Sequence, residues 1–163
     1  MLSMEDWPMS ARHDDLPPVS PDAQAWRRFL ALQAEVEGRL AQALQRGHGL
    51  GLSEYRALED LAHAPDHERR MQELAGRIGL NQSSVTRLVA RLEALGYAFK
   101  DLCPDDKRGV YAVATDAGCT RYEQARPTYE ATLAETLDTA TDDPHLAPAV
   151  AALRMSAVAG PGA

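Results

Sequence analysis

A basic pair lies on a predicted turn in the second half of the chain. The stretch PDDKRG, residues 104–109, places Lys107 and Arg108 after two aspartates and before a glycine. A guanidinium enters a narrow groove of negative potential at a lower hydration cost than an ammonium, so we interpret Arg108 as the group that enters such a groove. Asp106 stands two residues before Arg108 and is close enough to orient its guanidinium. The turn therefore predicts contact with a polyanion.

A second set of polar residues precedes this turn, within the helical pattern NQSSVTRLVARLEALG of residues 81–96. Four apolar residues at helical spacing predict its buried face: Val85, Leu88, Val89 and Leu92. The residues left for the exposed face are Gln82, Ser83, Ser84, Thr86, Arg87 and Arg91. Amide, hydroxyl and guanidinium groups form hydrogen bonds with base edges in a major groove of DNA. We therefore expect the N-terminal half of this helix to approach the bases.

The element before that helix is predicted to position it. The sequence MQELAGRIGL, residues 71–80, has the spacing of a short amphipathic helix, and Gly79 stands where a left-handed residue usually ends one. Asn81 is a favourable N-cap for the next helix, and Gly96 is expected to end it. Two short helices joined by a tight turn with glycine predict a helix-turn-helix.

The residues after Gly96 predict a β-hairpin. Strand-forming runs at 97–102 and 110–115 flank the Pro-Asp-Asp turn. A hairpin that directly follows a helix-turn-helix is a wing, whose tip lies beside the second helix of the motif.

Longer amphipathic helices are predicted on both sides of this region. Apolar residues recur every three or four positions from Asp22 to about Gln45, and again beyond Asp116. The apolar stripe of the first helix exceeds what the short helices after it can cover. We therefore expect part of that stripe to pack on a second chain.

Two shorter helices complete the predicted pattern. One begins with Ser53 as its N-cap and is broken at Pro65. The other begins at Asp142 or Asp143, after which the stretch MSAVAGPGA, residues 155–163, is expected to fray.

Composition and charge narrow the class of protein. The 163 residues carry a formal net charge of −7 and 45% apolar residues, which fits one soluble domain. Residues 69–108 contain eight basic and five acidic residues, a local balance of +3, so the acidity belongs to the remainder. No run is long and apolar enough to span a membrane, and the first residues lack the pattern of a signal peptide. We expect a cytoplasmic protein.

Four motifs, in order and at matching spacing, resemble the MarR family of bacterial transcription regulators. They are Thr86-Arg87 in the second helix, Gly96 at its end, Asp106-x-Arg108 in the wing and Thr115-x-x-Gly118 at the next helix. The resemblance extends over roughly residues 22–155. Departures from it include Lys100 and Asp101, which stand where the family often has arginine, and Ala114, which stands where leucine is common.

The resemblance implies a mainly α fold with a small β-hairpin wing. It divides the chain as follows: a flexible leader at 1–21, an N-terminal dimerisation helix at 22–52, a winged helix-turn-helix at 53–115, C-terminal dimerisation helices at 116–157 and a tail at 158–163. It also implies a homodimeric repressor that binds a pseudo-palindromic operator and is released by a small ligand. No metal or other cofactor is expected.

The ligand that the resemblance implies is a small aromatic or anionic molecule. The residues we expect near such a ligand are Trp26, His48, Tyr55, Arg69 and Arg70. Trp26 and Tyr55 are equally compatible with the hydrophobic core, and His48 with a helix end.

Three alternatives remain open at this point. A winged helix can bind a protein partner without DNA, and Cys103 or Cys119 can make the protein a thiol-based redox sensor. His63 and His67 have the spacing of a zinc half-site, although Pro65 disfavours the helix that this spacing requires. We do not expect an enzyme, because the sequence has no nucleophile elbow, glycine-rich phosphate loop or HExxH motif.

Overall fold

The computed structural model describes residues 18–102 and 109–158. Six α-helices, one 3-10 turn (Pro65–His67) and three short strands occur in these ranges, so the predicted mainly α fold with a small wing is confirmed. The helices are α1 (Pro21–His48), α2 (Leu52–Ala62), α3 (Met71–Ile78), α4 (Gln82–Ala94), α5 (Asp116–Thr141) and α6 (Ala147–Val158). The strands are β1 (Glu68–Arg70), β2 (Ala98–Leu102) and β3 (Val110–Ala114). No helix in the described part of the chain is both long enough and apolar enough to cross a membrane.

The helix-turn-helix forms as its local signals predict. Gly79 ends α3 with a left-handed backbone at φ 72°, a conformation that costs glycine least. The Asn81 side chain then caps α4 by accepting a hydrogen bond from the amide of Ser84 at 2.8 Å. The four predicted core residues of α4 are all fully buried.

The predicted β-hairpin forms, and a third strand that was not predicted extends it to a three-stranded antiparallel sheet. Strands β2 and β3 pair from Ala98 opposite Ala114 to Leu102 opposite Val110. Strand β1 adds to the other side of β3, with Arg70 opposite Tyr111. The sheet order is therefore β1-β3-β2, which ties the segment just before α3 to the wing.

The buried apolar residues form two clusters. The larger one joins α2, α3, α4 and the sheet to the first half of α5, with Tyr55 and Leu58 of α2 at 0% exposure. The smaller one joins α1, α5 and α6 through Leu32, Leu137 and Val150. The lobe that contains the helix-turn-helix and the bundle of long helices thus share α5 and, through Leu44, the end of α1.

Several predicted helix ends are wrong. Gly51, not Ser53, is the N-cap of α2, because the Glu54 carboxylate accepts the Gly51 amide hydrogen at 2.8 Å. Helix α6 begins at Ala147 instead of Asp142 or Asp143, since Asp142 caps the end of α5 and the Asp143 carboxylate accepts from the His145 amide in a turn. Helix α6 also continues through Met155 to Val158, where fraying was expected.

Candidate nucleic-acid interface

The exposed face of α4 carries the polar side chains that the sequence predicts for it. Gln82, Ser83, Thr86 and Arg87 are exposed, and Ser84 is partly buried. The opposite face is fixed in the larger core cluster. Helix α4 therefore presents amide, hydroxyl and guanidinium groups on a rigid support.

Two of the hydroxyl protons on this face already form hydrogen bonds within α4 and its cap. Ser83 Oγ donates to the Asn81 side chain at 2.9 Å, and Thr86 Oγ1 donates to the Gln82 carbonyl oxygen at 2.9 Å. A hydroxyl has a single proton to donate and two lone pairs. In this conformation Ser83 and Thr86 have lone pairs free to accept from an outside group, and the exocyclic amino groups of cytosine and adenine are donors of this kind.

The two arginines of α4 have different surroundings. Within residues 18–102 and 109–158, no ion pair involves Arg87. Arg91 donates from Nε to the Glu54 carboxylate at 3.1 Å, although 57% of its side chain stays exposed. Arg87 is thus the more available of the two to an external anion.

The local positive charge is smaller in the fold than along the chain. Arg69 and Arg77 both form ion pairs with Asp60, which lies on α2 outside the basic segment. Glu54, also on α2, pairs with Arg91. Three of the eight basic residues at 69–108 therefore form ion pairs with acidic residues that lie before residue 69 in the sequence.

The junction between the wing and α5 explains the spacing of Thr115 and Gly118. Thr115 Oγ1 donates to the Gly96 carbonyl oxygen at 2.7 Å and accepts from the Gly118 amide at 3.0 Å. The Thr115 amide donates to the carbonyl oxygen of Tyr97 at 3.0 Å. A Cβ atom at position 118 would lie 2.0 Å from that same oxygen. Only glycine lets α5 approach the end of α4 this closely.

The tip of the wing lies outside the described residues. Asp106, Lys107 and Arg108 fall in this segment, as does Cys103. Their roles at the interface stay predictions. The strands that carry the tip are described, and the guanidinium of Arg70 lies 5.4 Å from the ring centroid of Tyr111 on the neighbouring strand.

The residues expected near a ligand lie in separate places. Trp26 is 59% exposed and stacks on Phe29, with ring centroids 5.5 Å apart. His48 Nε2 lies 2.8 Å from Thr128 Oγ1, at the contact of α1 and α5. Tyr55 is fully buried and stacks on Tyr129 with ring centroids 4.4 Å apart. Trp26 is a surface residue and Tyr55 belongs to the core.

A cleft of about 950 Å³ lies instead between α1, α2, the end of α3 and α5. Its lining is mostly charged and polar, with one aromatic wall: Gln33, Glu37, Arg56, Glu59, Asp60, His63, Gly76, Arg77, Ile78, Gly79 and Tyr129. None of the five residues expected near a ligand lines this cleft. Of the two arginines among them, Arg69 pairs with Asp60, and Arg70 lies over the ring of Tyr111. The cleft is assembled from four helices, so no local pattern in the sequence indicates it.

Burial raises the pKa of three tyrosines and a cysteine. Removal from water raises the pKa of Tyr55, Tyr122 and Tyr129, and the charge of Glu59 adds to the effect on Tyr55 and Tyr122. Removal from water, together with the nearby Asp116 carboxylate, also raises the pKa of the Cys119 thiol. A thiol shifted in this direction is a poor nucleophile, which does not favour redox sensing at Cys119.

The histidine pair does not form a metal site with its neighbours. His63 Nδ1 lies 2.8 Å from the Glu59 carbonyl oxygen, and His67 Nδ1 lies 3.1 Å from the Ala62 carbonyl oxygen. Among the residues that the structure describes, no three metal-ligating side chains come together.

Comparison with known proteins gives one consistent result. Residues 48–109 match the model of the MarR family. YkoM, an uncharacterized HTH-type transcriptional regulator of Bacillus subtilis strain 168, is 35% identical over 72 residues, which are 44% of this chain and 45% of YkoM. The matched segment thus spans less than half of that relative.

Two crystal structures of MarR family transcriptional regulators from Streptomyces coelicolor resemble nearly the whole fold. Sco3205, solved in complex with DNA, is 26% identical with a TM-score of 0.71, and the match covers 91% of this chain and 93% of that one. Sco5413 is also 26% identical with a TM-score of 0.67, and the match covers 86% of this chain and 96% of that one.

Proposed function

Because residues 48–109 match the MarR family model and nearly the whole fold resembles MarR family regulators, we propose that the chain is a sequence-specific DNA-binding repressor of this family that acts as a homodimer. The exposed polar face of α4 carries this proposal. Gln82, Ser83 and Thr86 near the N-terminus of α4 supply groups that recognise bases, and Arg87 supplies a guanidinium that no described carboxylate neutralises. Sco3205, whose fold is similar, was solved in complex with DNA, which supports DNA binding by this chain.

The wing extends this interface. Lys107 and Arg108 contact the adjacent minor groove or the phosphates, and Asp106 orients the guanidinium of Arg108. The junction at Thr115 and Gly118 holds the strands against the end of α4, so the wing keeps its place beside the recognition helix. Such a repressor acts in the cytoplasm, where the DNA lies.

The second copy packs against the outer surface of α1 and α6. On α1 the large apolar side chains of Trp26, Phe29 and Leu30 are exposed at one face of the helix. On α6 the exposed apolar residues are Leu153, Met155 and Val158. A mainly apolar groove of about 360 Å³ runs between the two helices and is lined by Phe29 and Leu153. Exposed apolar surface of this kind marks an interface, which supports the homodimer.

The dimer defines the geometry of the operator. A two-fold axis through the α1 and α6 interface relates the two recognition helices. Two such helices bind half-sites whose centres lie about 10 base pairs apart on the same side of the DNA. The operator is then a pseudo-palindrome.

The ligand that releases the DNA binds in the cleft between α1, α2, α3 and α5. This cleft lies where the long helices meet the DNA-binding lobe, and the Arg56–Glu37 ion pair crosses it from α2 to α1 at 2.9 Å. Tyr129 offers a ring on which a small aromatic molecule can stack. Arg56 and Arg77 are each paired with a carboxylate of the lining, and an anion would bind the N–H donors that these ion pairs leave. Occupation of the cleft changes the angle between lobe and bundle, and hence the spacing of the recognition helices.

Selection of bound duplexes from a random library, followed by fluorescence anisotropy, tests the proposed function. Replacement of Arg87 or Arg108 by alanine should weaken binding to the selected duplex by about 1–3 kcal/mol. The control is Arg126→Ala on α5, which removes an arginine with 54% side-chain exposure and leaves affinity unchanged. Recovery of no preferred duplex, with both interface variants behaving as the wild type, favours a winged helix that binds a protein partner.

A further inference from the structure

Glu54 joins the start of α2 to the recognition helix. One carboxylate oxygen accepts the Gly51 amide hydrogen at 2.8 Å, and the other accepts from Arg91 Nε at 3.1 Å. Only 14% of the Glu54 side chain is exposed. The carboxylate is therefore a fixed acceptor, held by the backbone of its own helix.

The geometry of Arg91 leaves most of its guanidinium available. The contact with Glu54 is through Nε, and 57% of the Arg91 side chain remains in solvent. A guanidinium has five N–H donors in one plane, so the contact through Nε leaves the terminal nitrogens for a second acceptor. A phosphate can bind these nitrogens while Glu54 keeps Nε.

We propose that Glu54 is a positioning residue that holds the Arg91 guanidinium ready for a DNA phosphate, an inference that rests on the DNA binding proposed above. Arginine loses much rotamer freedom when a contact immobilises it. Glu54 restricts that freedom before DNA arrives, so less is lost on binding. Glu54 contacts no DNA itself and acts through Arg91.

The variant that tests this role is Glu54→Gln. Glutamine has one acceptor oxygen in place of two, so it can cap Gly51 or hold Arg91 but cannot do both as Glu54 does. The measurement is the affinity of the full chain for the selected fluorescein-labelled duplex over a salt series, for the wild type, E54Q, R91A and the double variant. The matched control is the Arg126–Glu130 ion pair on α5, altered as R126A, E130Q and both together.

E54Q is expected to weaken binding about two- to tenfold, the range for immobilising one flexible side chain. R91A is expected to lower the salt slope by about one, because one phosphate contact is lost. R91A should lower the affinity less in the E54Q background than in the wild-type background. The control variants R126A, E130Q and their combination should bind the duplex as tightly as the wild type. A purely structural role for Glu54 would change the midpoint of thermal unfolding, and R91A would then cost the same affinity in both backgrounds.

Binding of E54Q as tight as the wild type, or tighter, overturns the positioning role and makes Glu54 a competitor of the phosphate. Unchanged binding and slope in R91A also overturn it, while Arg87→Ala still reports on the function itself. If the wild type binds no duplex, the proposed function fails and this inference with it.

Discussion

Replacement of Gly118 by alanine is expected to separate the wing from α5. The added Cβ would lie 2.0 Å from the Tyr97 carbonyl oxygen, 2.9 Å from the carbonyl carbon and 3.2 Å from Leu58 Cδ2. Two of these atoms are backbone atoms of Tyr97, so the segment between α4 and β2 must move by more than about 1 Å to restore an ordinary contact. Overpacking costs about 1–3 kcal/mol, and displacement of the Tyr97 oxygen from the Thr115 amide adds about 1 kcal/mol. We expect a total loss of about 2–4 kcal/mol in the free energy of unfolding.

Urea unfolding followed by circular dichroism, at one protein concentration, measures this loss. The control is Gly38→Ala, the same substitution on α1, where no atom lies within 4 Å of the new Cβ. Alanine propagates a helix better than glycine, so the control gains about 0.5–1 kcal/mol. If Gly118→Ala unfolds at the same urea concentration as Gly38→Ala, the Tyr97 carbonyl does not lie as close to Gly118 as the structure has it.

Two further predictions concern ionisation and assembly. Because burial raises the pKa of Tyr55, Tyr122 and Tyr129 above the ordinary value near 10, the unfolded chain loses these protons first. The free energy of unfolding should therefore fall as pH rises above about 10. At the same pH, spectrophotometric titration should find fewer tyrosinates in the native protein than in the protein unfolded in urea, and equal numbers in the two would contradict the burial. Phe29→Glu places a charge on the exposed apolar face of α1 and should convert a dimer into a 17.8 kDa monomer in sedimentation equilibrium. Leu95→Glu, which changes an exposed apolar residue of the DNA-binding lobe, should leave the dimer intact. If the Phe29→Glu dimer is as stable as the wild type, this face of α1 is not the dimer interface.

The helix-turn-helix was predictable because its signals are local. A glycine that ends α3, an asparagine that caps α4 and four apolar residues at helical spacing act within a few residues of one another. The structure confirms each of these features. The strands β2 and β3 also follow from a run of strand-forming residues and a turn within one segment.

Other features depend on residues distant in sequence and could not be predicted. Strand β1 is the sequence Glu-Arg-Arg, which has no apolar alternation and forms because β3 offers a free edge. Asp60 and Glu54 lie 9–37 residues before the arginines that they pair with, so counting charges along the chain overestimates the positive charge of the interface. The cleft likewise arises from four helices packed together.

The same distinction applies to the interface residues. The exposed face of α4 was predictable from periodicity, because the buried face of a helix determines the opposite one. Periodicity did not predict that Arg91 pairs with Glu54 or that Arg87 has no described ion-pair partner. The packing of α2 against α4 sets this difference. Among the residues expected near a ligand, Tyr55 lies in the core because α5 supplies Tyr122 and Tyr129 to pack against it.

A chemical footprint on the selected duplex tests the central claim most directly. Methylation of guanine in the major groove, measured with and without protein, shows which bases α4 covers. Two protected patches related by two-fold symmetry, with centres about 10 base pairs apart on one face of the DNA, are the predicted result. Uniform methylation at protein concentrations that saturate the anisotropy signal would contradict recognition through the major groove by a dimer.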